Sequence, residues 1–197
     1  MPLSNIKVAK QACLEVGLEP VDTMTDSTVQ GQVIAAHYDT VVGDALSQHY
    51  WRFGCAQVVL NLLAAAPAGR WSYAFQIPNE VLSIRAVTVN SYPIRFEVYD
   101  DKIYCEADGT IDVVLDGMFD VVESKWKPYF TRYIVLKLAA ILASGVREDW
   151  EMSKLKETLA DIQWRLAKNT DSKGRTASHL RPTRITNARL RRAGLGN

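Results

Sequence analysis

The hydropathy period of this 197-residue chain changes twice, and that limits the folds open to it. Near the start, Ile6, Ala9, Cys13 and Val16 stand three, four and three residues apart, which predicts a helix over residues 4–17 with one apolar face. Ser4 can cap its start. Gly17 suits the left-handed residue that ends a helix, and Pro20 blocks continuation. A longer helix is predicted over 28–49, its inward stripe Ile34, Tyr38, Val41 and Ala45, with Val33, His37 and Leu46 beside it.

From Cys55 to Leu115 the period shortens, and the chain is rich in Val, Ile, Tyr and Phe. Strands are predicted over 58–63, 71–76, 81–89 and 111–115. Residues 95–99 and 102–105 alternate polar and apolar around Asp100-Asp101, a hairpin signal. The expectation is a small antiparallel sheet of roughly four to six strands. Helical spacing returns over 125–144 and again over 148–168. In the latter, Met152, Leu155, Leu159, Ile162 and Leu166 repeat at three, four, three and four, a seam for packing on another helix. The expected fold class is therefore α+β: a four-helix bundle with an inserted small antiparallel β-subdomain and an extended C-terminal arm. The expected divisions are 1–54 and 123–170 for the two halves of the bundle, 55–122 for the insertion, and 171–197 for the arm.

Charge sets the arm apart. Lys173, Arg175, Arg181, Arg184, Arg189, Arg191 and Arg192 are its seven basic residues, and residues 173–197 hold no acid. All 22 acids lie in residues 1–172 beside 16 basic residues, so a net charge of +1 hides an acidic body and a basic tail. The tail has only Leu180, Ile185, Leu190 and Leu195 as large apolar residues, too few to fold alone. It is expected to order against nucleic acid or an acidic protein groove, or else to stay solvated. Met1-Pro2-Leu3-Ser4-Asn5 does not read as a secretory leader, and the most apolar stretch, 129–143, is too short to span a bilayer. Cys13, Cys55 and Cys105 are odd in number and far apart, as free thiols in a reducing cytosol would be.

No catalytic, cofactor-binding or metal-binding residue is expected. The chain has no GxxxxGK[ST], GxGxxG or GxSxG motif. His37, His49 and His179 form no HExxH or Cys–His pair: His37 reads as a packed or interfacial residue, His49 as a cation at a helix end, and His179 as added charge on the tail. Asp39 with Asp44, Asp100-Asp101 and Glu148-Asp149 are carboxylate pairs, of which Asp100-Asp101 reads as a hairpin turn and Glu148-Asp149 as a helix start, where acids are expected in any case. Trp71, Tyr73 and Phe75 beside Arg70, and Trp126, Tyr129, Phe130 and Tyr133 near Lys125, Lys127 and Arg132, could stack single-stranded nucleic acid, but read better as packed faces.

Several segments carry a family likeness: 16–21 after the first helix, 38–46 followed by Tyr50-Trp51-Arg52-Phe53, 71–84 with its aromatic strand leading into Ile77-Pro78, the Asp-Asp hairpin ending in Ile103-Tyr104, and Tyr129-Phe130 opening the helix through 138–143. In this order they resemble the head-to-tail adaptor proteins of short-tailed bacteriophages, the tail tubular protein A family. The resemblance implies a helical bundle with a β-rich insertion and a structural role in the virion tail, after synthesis in the host cytoplasm. It implies a twelve-subunit ring between the portal protein and the tail nozzle protein (tail tubular protein B), with tail fibres a further contact. DNA would pass through its channel as cargo, without catalysis, cofactor or membrane. On that analogy, Lys173, Arg175, Arg181, Arg184, Arg189, Arg191 and Arg192 pair with portal carboxylates, with Leu190 and Leu195 as apolar anchors. Tyr92, Pro93, Asp100 and Asp101 are expected as exposed β tips facing the nozzle. The competing expectation is a nucleic-acid-binding protein that grips phosphates with the same arm.

Overall fold

A computed structural model describes residues 3–173 apart from 66 and 68. Four helices, α1 (Asn5–Glu15), α2 (Val29–Ser47), α3 (Pro128–Gly145) and α4 (Trp150–Ser172), flank eight strands. Thr28 caps α2 by accepting the Gly31 N–H at 3.3 Å. Gly17 takes φ +68° just past α1, as its place in the sequence predicts. Ser4 stands at the N-cap of α1, but its side chain makes no capping bond.

The four-helix bundle is overturned. Strands separate α2 from α3 along the chain, and the helices do not ring a shared centre. Instead α3 is itself the centre, with α1, α2 and α4 each packed on it. Eleven of its 18 residues are buried, from Phe130 to Ala143 and on every side. A helix apolar all round is a core helix, and its neighbours then need only one apolar face each. From α2 come Ile34, Tyr38, Ala45 and Leu46; Val41 is half-buried and His37 is exposed, so that histidine is not packed within the subunit.

The predicted single sheet is instead two. In chain order the strands are β1 (Cys55–Val59), β2 (Asn61–Leu62), β3 (Tyr73–Gln76), β4 (Val81–Val89), β5 (Tyr92–Pro93), β6 (Phe96–Tyr99), β7 (Lys102–Cys105) and β8 (Val113–Phe119). One antiparallel sheet runs β1-β8-β4-β5 and the other β2-β3-β7-β6. Residue 60 passes the chain from the first sheet to the second, its N–H bonding the Val113 carbonyl at 2.8 Å. The sheets enclose one core of Leu60, Phe75, Val87, Ile103, Cys105, Val113 and Leu115.

Alternation along β8 joins the two halves of the molecule. Val113, Leu115 and Phe119 point into the β core, while Met118, on the opposite face, enters the helical core. Trp51 is the keystone of that helical core. It is fully buried, donates Nε1–H to the Ala45 carbonyl at 2.8 Å, and meets Phe130 and Trp164 edge-on at 5.0 and 5.2 Å.

Candidate functional site

The predicted docking residues divide at residue 173. Lys173 is described: it is exposed and directly follows α4. Arg175, Arg181, Arg184, Arg189, Leu190, Arg191, Arg192 and Leu195 lie outside the described residues. What the structure shows is the place from which that segment leaves.

That root is a buried carboxylate. Asp171, in the last turn of α4, is 4% exposed. It accepts the Tyr129 hydroxyl at 2.7 Å and the Arg52 backbone N–H at 3.2 and 3.3 Å. One side chain thereby ties three pieces together: the end of α4, the start of α3, and the Trp51-Arg52-Phe53 turn between α2 and β1. His49 Nε2 lies 3.7 Å from Asp171 Oδ2, beyond hydrogen-bond range, and is buried with no hydrogen-bond partner. Burial lowers the His49 pKa, outweighing the attraction of Asp171. The imidazole is therefore neutral near pH 7, contrary to the expected helix-end cation. Burial first, and the bond to Asp171 second, push the Tyr129 phenol well above its usual range, so it stays a donor.

A cleft of about 530 Å³ opens beside the clamp, lined by His49, Arg52, Cys55, Arg85 and Asp171 among others. The Cys55 thiol is pushed up, chiefly by burial, and is a poor nucleophile there. Among the described residues, no group of three or more His, Cys, Asp and Glu is placed to hold a metal ion. Two acids from the carboxylate pairs serve the helices: Asp149 caps α4 through the Met152 N–H at 2.9 Å, and Asp44 accepts from Gln48 at 2.7 Å. No described helix is long and apolar enough to cross a membrane.

The predicted β tips lie apart. Tyr92 and Pro93 pair with Val89 and Thr88 at one end of β4, and Tyr92 is 76% exposed. Asn90 and Ser91 both take positive φ, the geometry of a tight two-residue hairpin turn. Asp100 and Asp101 sit at the other end, beside Pro78 to Ile84. That end meets the helices, where the Tyr50 hydroxyl bonds the Ile84 carbonyl at 2.9 Å. Nine residues of β4, about 30 Å of strand, separate the tips. Tyr92-Pro93 therefore marks the end of the β unit far from the helices, and Asp100-Asp101 does not.

The aromatic–basic groups prove to be mostly packing. Phe75, Trp126, Phe130 and Tyr133 are buried, and Arg70 stacks over Trp71 at 5.1 Å while pairing with Glu97. The clamp itself was missed in the sequence. Its signal was a lone acid in line with Ala160, Trp164 and Ala167, visible once α4 is continued to residue 172.

Fold and site together define an α+β chain with a helical core, a two-sheet β core and a clamped C-terminal helix. No protein-family model matches the chain, and no curated protein matches it.

Proposed function

We propose that this chain is a structural virion protein, a head-to-tail adaptor that joins the portal to the tail nozzle in a twelve-subunit ring and provides the channel for DNA ejection. Charge separation carries the reading. Residues 173–197 hold seven basic residues and no acid, whereas the body before them has six more acids than bases. The guanidinium groups suit forked pairing with portal carboxylates. Asp171 supports this reading because it fixes the exit point of the segment, which lowers the entropy lost when the segment docks. One arm binds weakly, and twelve acting together hold firmly. An acidic channel wall would let DNA slide. The Tyr92-Pro93 hairpin, exposed far from the helices, is the proposed nozzle contact.

The test is capture of purified portal rings by the full chain and by a chain ending at Lys173. Loss of capture by the shorter chain, with an unchanged circular dichroism spectrum, supports the reading. Equal capture by both chains overturns it. The basic tail also favours a second reading, nucleic-acid binding. A mobility-shift titration separates the two: seven cations on duplex DNA predict a log–log salt slope on the order of −6. Tail-dependent DNA binding with that slope, and no portal capture, would favour the second reading.

A further inference from the structure

Of the heptad-spaced seam of α4, Met152 packs against the helical core, and the rest is left uncovered by the described residues. Leu155, Leu159, Ile162 and Leu166 are 57, 39, 50 and 54% exposed. The helix meets α3 through a different face, where Ala160, Ala167 and Asp171 are buried and Trp164 is half-buried. Spacing of three and four is the signature of helix packing, and no described helix of the subunit covers this ridge.

The subunit also carries a matching hollow. A groove of about 800 Å³ runs between α1 and the start of α3, lined by Leu3, Leu14, Trp126, Pro128 and Arg132 among others. Leu14 stands 62% exposed on its wall. The ridge from Leu155 to Leu166 spans about 16 Å, and α1, at eleven residues, is equally long. Arg132 at the groove is already neutralised by Glu15, which also pairs with Lys156 of α4 at 2.6 Å. At one end of each surface the charges left over are opposite. Lys125 and Lys127 flank the groove at Trp126 and Pro128, while Glu148 and Glu151 flank Trp150 at the start of the ridge helix. None of these four has an ion-pair partner among the described residues. Trp150 itself is 74% exposed.

We infer that the α4 ridge of one copy seats in the α1–α3 groove of a second copy, with Glu148 and Glu151 facing Lys125 and Lys127. The contact joins two different surfaces, so it can propagate head to tail. The inference stands on the ridge and groove alone. A chain that self-associates without capturing a portal keeps it and loses the adaptor reading.

Sedimentation of the full chain from low micromolar to near-millimolar concentration tests it. The average mass is expected to rise with concentration and to fall back at high salt. Ile162→Glu spoils the ridge and Leu14→Glu spoils the groove. Both positions are at least half exposed, so both variants are expected to keep the wild-type circular dichroism spectrum and unfolding midpoint. Each variant alone should remain a monomer. Mixed, they should form a one-to-one pair, because one retains the groove and the other the ridge. A wild-type chain that is monomeric throughout, or variants that do not pair when mixed, would overturn the inference. So would association that survives Leu14→Glu but not Ile162→Glu, since that means ridge against ridge. A chain ending at Lys173 that associates while the full chain does not would mean that residues 174–197 cover the ridge, and would overturn it as well.

Discussion

Replacing Asp171 by alanine tests whether the end of α4 is clamped. The substitution removes the acceptor of a 2.7 Å bond from the Tyr129 hydroxyl and of two longer bonds from the Arg52 N–H. Hydrogen bonds to a charged partner contribute about 1.5–3 kcal/mol each. The Tyr129 bond is short and belongs near the middle of that range. The Arg52 bond is long, shared between two oxygens and beside an open cleft that admits water, so it belongs at or below the bottom. Removing the carboxylate also relieves the cost of burying it. The expected loss is about 3 kcal/mol for Asp171→Ala and about 2 kcal/mol for Tyr129→Phe. Because both remove the same bond, the double variant should cost about 2 kcal/mol less than the sum. Urea unfolding followed by tryptophan fluorescence measures all three, and amide exchange in the last turn of α4 should quicken in each. A loss below about 0.5 kcal/mol for Asp171→Ala, or strict additivity, would show that the carboxylate holds nothing in place.

Three further outcomes are expected. The His49 pKa is lowered by burial, so the unfolded chain takes up the proton more readily. Stability should fall as pH drops below about 6.5, and His49→Gln should flatten that slope in a series of urea midpoints; parallel profiles would refute it. Glu15 has its pKa lowered, first by its bond to Lys156 and then by its bond to Arg132. Its contribution is present above about 4.5 and declines as pH falls further, and Glu15→Gln should cost about 1 kcal/mol at pH 7 and less at pH 3. Gly117 in β8 lies so near β4 that an added Cβ would stand 2.5 Å from the Ser83 carbonyl oxygen. Gly117→Ala should therefore cost about 3 kcal/mol, and a wild-type unfolding midpoint would contradict that approach.

Elements whose cause is local were legible in the sequence. The strand over 81–89 stands where alternation and β-branched residues put it, and the Asp100-Asp101 hairpin forms with Asp100 at φ +56°. The helices differ from expectation by a few residues at their ends, the largest change being the extension of α4 to Ser172, which brings Asp171 into the fold. The strand at Tyr92-Pro93 was not legible, because two residues ending in proline have no period and exist only by pairing with β4. Nor was the sorting of strands into two sheets: β1 finds β8 some 60 residues away, and no local pattern encodes that choice.

The α4 ridge marks the boundary between the two kinds of information. Residue spacing by itself determined that Leu155, Leu159, Ile162 and Leu166 share one stripe, since 3.6 residues per turn leave no alternative. Which stripe turns inward was decided only by the tertiary structure. α3 is apolar all round and takes three neighbours, and on its side of α4 the small residues Ala160 and Ala167 allow close approach. Helical periodicity is a property of the backbone and is written locally. Burial depends on which surfaces meet, and those surfaces come from segments far apart in the chain.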